Sequence, residues 1–316
     1  MPDHSPVSER SRGRPLTLAA IIPATDAPPT LGRARAALEG GSRRPDQLIA
    51  QERPVGGPAA ARNFAAAESE GDVLVFVDSD VEVHPDALRL IEQRFAADPD
   101  LTAVFGAYDD APEDPGLTSR YRNLLHHHVH SGAAGEAETF WAGLGAIRRE
   151  SFEEAGGFDA ARYPHPSIED IELGMRLRRR GEKVVLDPRI RGRHLKRWTP
   201  LSVARTDFAR RGVPWVRLLL SEGSDSTALN LGWRQRLSAA AGVLLLGSLL
   251  ARRPRLAAAA LAANLALDRG LYALLFRHGG PRLLVAGIAL HQLHQLCAAA
   301  SVPTALVLHA LEGRQG

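Results

Sequence analysis

Between residues 16 and 105, short apolar runs alternate with segments of helical spacing. Residues 16–22 form a β-branched apolar run closed by Pro23, which predicts a buried strand ending in a loop. Residues 30–38 predict a helix stopped by Gly40 and Gly41, residues 47–50 a weaker second strand, and residues 59–67 a second helix. Residues 72–77 read Asp-Val-Leu-Val-Phe-Val, a continuous apolar run that needs cover on both faces. Residues 85–97, with Pro in the first turn, predict a helix, and residues 101–105 another strand. This alternation predicts an α/β fold: a Rossmann-like, mostly parallel sheet flanked by helices, with its ligand crevice at the carboxyl ends of the strands.

The final third changes character. Residues 237–251 and 256–267 are uncharged and mostly apolar, and residues 283–311 hold no Asp, Glu, Lys or Arg. Only the last run exceeds the roughly 20 residues that a membrane-crossing helix needs. The two shorter runs read equally as interfacial helices, a re-entrant pair or buried helices. If all three crossed a bilayer, the arginines at 252–255 and at 277–282 would face opposite sides, against the bias of cationic loops to the cytoplasm. The expectation is therefore a C-terminal hydrophobic helical region associated with the membrane without a simple three-span topology; an Ala-rich soluble bundle is the alternative. The expected division is a disordered lead-in at 1–15, an α/β domain at 16–225 and the helical region at 226–316.

Charge sharpens that division. After residue 236 there are seven Lys/Arg and two Asp/Glu, net +5, whereas the preceding residues carry 32 and 34, net −2, for a chain total of +3. The basic balance belongs to the tail, and the folded domain lacks the cationic footprint of a nucleic-acid binder. Cys297 stands alone, so neither a disulfide framework nor a Cys-based zinc site is expected, and a reducing compartment suits the chain. Residues 1–15 are polar with no secretory-type apolar stretch, which places the α/β domain at the cytoplasmic face of the membrane as an expectation.

Three clusters carry candidate chemistry. Asp78-Ser79-Asp80 follows the apolar strand, and extended residues at i and i+2 project to one side, where two carboxylates suit a hard divalent cation. Ser167-Ile168-Glu169-Asp170 opens a helical segment; Ser167 and Asp170 have the spacing of a capping-box variant, and the helix dipole favours an ionised carboxylate there. His194-Leu195-Lys196-Arg197-Trp198 combines a metal-capable imidazole, a phosphate-pairing guanidinium and a cleft-forming indole. The run His126, His127, His128 and His130 is less informative, since imidazoles so close on a helix point in several directions.

Taken together, three blocks resemble the nucleotide-binding half of family 2 glycosyltransferases: Ala20-Ile21-Ile22-Pro23-Ala24-Thr25, Gly57-Pro58-Ala59-Ala60-Ala61-Arg62-Asn63 and Val75-Phe76-Val77-Asp78-Ser79-Asp80. Gly143-Leu144-Gly145, Gly156-Gly157-Phe158-Asp159 and Glu169-Asp170-Ile171 are similar to its acceptor-side motifs, in the expected order. The resemblance implies a GT-A fold and inverting transfer from a nucleotide-sugar donor, UDP-linked by default, to a hydroxyl acceptor, lipid or lipid-linked if the tail holds the enzyme at a bilayer. It implies Asp170 as catalytic base with Glu169 beside it, and Asp80 with His194 at a divalent metal, Mg²⁺ or Mn²⁺. It further implies Pro23, Ala24, Thr25, Glu52, Arg62, Asp78, Arg197 and Trp198 on the donor side, and Trp141, Gly143 and Gly145 on the acceptor side. Two departures stand out: Gln51-Glu52 where the family usually has Asp, and His194 where processive members have Gln. Residues 76–81 also resemble the nucleophile strand of haloacid-dehalogenase phosphotransferases, without their later motifs, and a non-catalytic protein retaining the fold is the other alternative.

Overall fold

The computed structural model describes residues 15–222 and 232–312. Residues 1–14 of the expected lead-in and the expected boundary at 225/226 lie outside the described residues. The order is β1 (Leu18–Pro23), α1 (Leu31–Gly40), β2 (Gln47–Gln51), α2 (Pro58–Ala67), β3 (Val73–Val77), β4 (Val81–Val83), α3 (Ala87–Ala97), β5 (Leu101–Tyr108), α4 (Leu117–Ser131), β6 (Gly135–Glu136), β7 (Leu144–Arg148), α5 (Arg149–Glu154), α6 (Glu169–Arg179) and β8 (Lys183–His194). Then come α7 (Pro200–Arg205), a π-helical turn (Thr206–Gly212), α8 (Val213–Glu222), α9 (Trp233–Leu250), α10 (Pro254–Leu267) and α11 (Arg269–Glu312).

One sheet runs β2-β1-β3-β7-β5-β8-β4, with β6 paired to β8. Strands β1, β2, β3, β5 and β8 share one direction, and β4, β6 and β7 oppose it. The parallel strands of the sequence expectation are present; the mixed character comes from β7, which enters between β3 and β5 in the opposite sense. Strand β8 is broken by Asp187-Pro188, and its pairing with β5 jumps from Phe105–Leu186 to Ala107–Arg191. Gly106 permits that jump, because a side chain there would collide with the Ile190 carbonyl. The shifted strand then delivers His194 opposite Val81, beside the loop that ends β3.

The sheet core is Val-, Leu- and Phe-rich, with every residue of β3 and β5 buried. Phe76, Phe152 and Phe158 pack with ring centroids 5.2–5.5 Å apart, tying β3 to α5 and the glycine loop after it. Helix α6 lies against the 139–140 backbone, an approach that only Gly174 allows.

The C-terminal helices are docked on the α/β domain. Tyr121, Leu124 and Leu125 of α4 form a second core with Leu271, Leu274, Leu275, Leu283 and Leu290 of α11. Helices α9, α10 and α11 are cross-linked by a buried polar network of Ser238, Asn264, Asp268, Tyr272, His291 and Gln295. Such satisfied networks fix helix register in an apolar setting. Helix α11 bends at Gly280, which has φ +60°, just before Pro281. Among the described residues it is the one helix long and apolar enough to cross a membrane, by length and composition. Large apolar side chains remain exposed on α9 and α11, among them Leu244, Leu250, Val285 and Val307.

Gly174→Ala is expected to push α6 off the 139–140 segment and destabilise the fold by about 2–4 kcal/mol. Urea unfolding of the variant checks this; an unchanged midpoint would show that the segment yields without cost.

Candidate functional site

A cleft of about 420 Å³ opens at the carboxyl ends of β1 and β3. Its floor is Asp78-Ser79-Asp80. These residues form a turn closed by the Val81 amide donating to the Asp78 carbonyl, 3.0 Å, instead of continuing the strand, and both carboxylates still face the cleft. His194 is buried behind them, with Nε2 3.5 Å from an Asp80 carboxylate oxygen. Its Nδ1 lies 2.7 Å from the Asn123 side-chain oxygen, which fixes the ring with Nε2 towards Asp80. Tyr108 stacks on the same imidazole at 4.3 Å. Burial would push the Asp80 carboxyl up, but the hydrogen bond from His194 and the charges of His194 and Lys196 outweigh it and hold Asp80 below its ordinary range. Among the described residues no three His, Cys, Asp or Glu side chains converge as a self-sufficient metal site. Asp80 and His194 fit a divalent cation as a pair whose remaining ligands would be oxygens of a bound diphosphate.

The opposite wall is the first turn of α6. Asp170 accepts hydrogen bonds from the Ala142 amide, 3.1 Å, and the Ile171 amide, 2.8 Å. Burial and the neighbouring Glu169 charge push its carboxyl up to about 6, against the lowering influence of Arg211 and Arg62. The expectation that the helix N-terminus would dominate is thus corrected: desolvation outweighs it. The capping box is also absent. Ser167 donates its hydroxyl to the Arg210 carbonyl, 2.9 Å, and its amide to Glu169, 2.9 Å. Arg62 joins the walls, with its guanidinium 2.6 Å from Asp78 and 2.9 Å from Glu169. Burial works against its charge, but Asp78, Glu169 and Asp170 more than compensate and hold it protonated.

Of the residues singled out from sequence, Pro23, Thr25, Arg62, Asp78, Asp80, Trp141, Glu169, Asp170, His194 and Trp198 line this cleft. Ala24 is buried just behind, its amide bonded to the Gln51 carbonyl. Gly143 and Gly145 act through Trp141: a side chain on either would strike the indole or the Trp141 carbonyl. Glu52 is exposed and does not line the cleft, whereas adjacent Gln51 is buried with an unpartnered Nε2. Arg197 also lies outside, its side chain 84% exposed and 3.7 Å from Asp114. Besides Arg62, the cations that line the cleft are Lys196, Arg122, Arg210 and Arg211. Lys196 and Arg122 flank Trp198, 4.7 and 5.3 Å from its ring.

Sequence reasoning missed one face of α4. Ser119 accepts from the Trp198 amide, Asn123 orients His194, and Arg122 and His126 line the cleft. His126 packs between Tyr108 and Trp141, at 4.3 and 4.7 Å, and burial holds it well below its ordinary pKa. The spacing 119, 122/123, 126, 130 is a helical stripe of polar residues, and that period was the available signal.

Residues 30–156 match the family described as Glycosyl transferase family 2. No curated protein matches the chain. Among solved structures, the mannosyltransferase PcManGT from Pyrobaculum calidifontis, in complex with GDP-Man and Mn²⁺, is 18% identical with a TM-score of 0.54, covering 92% of this chain and 88% of that one. The S. aureus TarS 1-349 structure is 14% identical, TM-score 0.46, covering 90% and 91%. GalNAc-T7 with UDP, GalNAc and Mn²⁺ is 16% identical, TM-score 0.47, covering 66% of this chain; the chain spans about half that protein's length, 48%. Sequence and architecture agree: residues 30–156 match the Glycosyl transferase family 2 model, and they are set in a GT-A-type α/β fold with an apolar helical C-terminus.

Proposed function

We propose that this chain transfers a sugar, with inversion, from a nucleotide-sugar donor to a hydroxyl acceptor, with UDP as the donor nucleotide on the strength of the family resemblance. The observation that carries the reading is that one cleft gathers Asp78, Asp80 and His194 on its floor and Asp170, held near pKa 6, on the facing wall. The nucleoside lies against Pro23 and Thr25. The diphosphate is met by Lys196, Arg210 and Arg211 and by the buried, unpartnered Trp198 Nε1, instead of by Arg197. Asp80 and His194 hold a divalent cation, in keeping with the Mn²⁺ in the PcManGT complex. When bound, that cation neutralises charge on the leaving diphosphate.

Asp170 accepts the acceptor hydroxyl's proton as the acceptor oxygen bonds to the anomeric carbon; the bond from that carbon to the diphosphate breaks, and the nucleoside diphosphate leaves. A base near pKa 6 is ionised at neutral pH yet basic enough to draw the proton. Displacement in one step needs no covalent sugar intermediate, so the cleft needs no nucleophilic Ser or Cys. We further propose that the exposed apolar faces of α9 and α11 lie in or on the cytoplasmic face of a membrane, with the catalytic domain in the cytoplasm.

A panel of nucleotide sugars with Mn²⁺ or Mg²⁺, scored for binding and slow hydrolysis, tests donor and enzyme class together; no binding to any member would refute the reading. Asp170→Asn is expected to lower transfer by about 100- to 10,000-fold while leaving donor binding intact, and turnover like wild type would remove Asp170 as the base. Protonation of Asp170 abolishes the base, so kcat/KM should hold above pH 6 and fall about tenfold per unit below it. In calorimetry, Asp80→Ala should weaken metal-dependent nucleotide binding beyond the roughly 10–100-fold typical of losing an outer-shell partner; unchanged affinity would sink the metal assignment.

A further inference from the structure

A second cavity, of about 810 Å³, lies between the catalytic domain and helices α8, α9 and α11. It meets the cleft at five shared residues, Arg122, His126, Trp141, Asp170 and Arg211, so Asp170 stands in the wall of both. Away from that junction the lining is mainly aliphatic and aromatic, including Trp215, Leu219, Ala239, Val243 and Val302. The charges deeper in this wall are matched: Asp207 pairs with Arg122 at 2.8 Å and with His294 at 2.8 Å. The Arg211 side chain has no hydrogen bond or ion pair among the described residues, and it sits at the junction. The volume falls in the range of cavities that enclose small ligands, roughly 300–1,000 Å³.

The cavity also opens sideways. Val243 and Val302 belong to its lining and are 47% and 46% exposed, on helices that present further apolar side chains such as Leu246 and Leu306 to the surroundings. A ligand complementary to this shape has a polar head at the Asp170–Arg211 end and a hydrocarbon chain leading out between α9 and α11. Water in that space would find few polar partners, which favours an apolar occupant.

We propose that the acceptor is a single-chain amphiphile whose hydroxyl head lies against Asp170 and Arg211 and whose hydrocarbon chain occupies this second cavity. The assignment rests on the glycosyltransferase reading above for the role of the head, and on the cavity alone for the chain. It makes α8, α9 and α11 a substrate-binding wall as well as an attachment.

The full chain, in lipid nanodiscs, is irradiated with a long-chain alkan-1-ol bearing a diazirine near its tail, and labelled residues are mapped by mass spectrometry. Labels are expected on cavity residues such as Trp215, Leu219, Val243 and Val302. Ala240→Trp and Ala298→Trp, both lining the cavity from exposed positions, should each cut this labelling about tenfold. Val285→Trp, exposed on α11 outside the lining, should leave it unchanged. Labels confined to outward faces of α9–α11, or undiminished in both Trp variants, would overturn the proposal as simple partition into lipid. Nucleotide binding with Mn²⁺ is measured on the same preparation. Nucleotide binding without cavity labelling refutes the chain site alone; cavity labelling without nucleotide binding refutes the glycosyltransferase reading alone.

Discussion

The Arg62 guanidinium is withdrawn from water yet stays charged, because Asp78 and Glu169 bracket it and Asp170 lies close behind. Each partner belongs to a different part of the site: Asp78 to the turn after β3, Glu169 to the first turn of α6. A buried cation held this way fixes both relative to α2, and removing one member of such a set leaves uncompensated charge at a cost of about 3–5 kcal/mol. Helix α2 is itself pinned, since the Asn63 side chain exchanges two hydrogen bonds with Phe158, 2.7 and 2.9 Å, and the Phe158 ring lies under Arg62 at 5.5 Å. Gly156 and Gly157, at φ +79° and +68°, supply the left-handed turn that brings Phe158 there. A motif that reads as a nucleotide clasp is thus also the internal strut of the site, and it holds Glu169 where its charge raises the proton affinity of Asp170.

A second strut reaches the C-terminal helices. Asp207, in the π-helical turn, is buried between Arg122 of α4 and His294 of α11; burial opposes its ionisation, but these two partners keep its carboxyl well below the ordinary range. Gly212 at the end of that turn lets it lie directly against Ser301 of α11. The wide turn places Arg210 and Arg211 at the cleft, a use of π geometry found often at functional sites. Arg122 in turn faces Trp198, so the helical region and the cleft share one set of side chains.

Much of this was legible in the sequence, for physical reasons. Buried parallel strands leave continuous apolar runs, as at β1 and β3, and the acids that follow β3 mark the crevice whichever turn they adopt. Asp170 was legible as a position, not as an acidity: a first-turn carboxylate looks dipole-stabilised until desolvation in the cleft wall and the Glu169 charge beside it raise its proton affinity. Strand β7 was obscured by its short, glycine-bearing sequence, and β8 by Asp187-Pro188. The cation set was misassigned for a related reason. Arg197 lies near His194 in sequence, but the chain there turns its side chain outward, and Arg122, Arg210 and Arg211 arrive from elements remote in sequence. Local spacing carries no trace of such a meeting.

The distribution of charge also differs across the cleft. On the floor, Asp78 is paired with Arg62 while Asp80 faces His194 and Lys196, so on the proposed reading that corner would take a cation and, through it, a diphosphate. Across the cleft Arg211 lowers, and Glu169 raises, the proton affinity of Asp170. On the proposed reading, a diphosphate drawn towards Arg210 and Arg211 would screen the charge that favours ionised Asp170 and so raise its proton affinity. On that reading, donor binding and base strength are coupled through Arg211, the one cation that borders both the cleft and the apolar cavity with no side-chain partner of its own among the described residues.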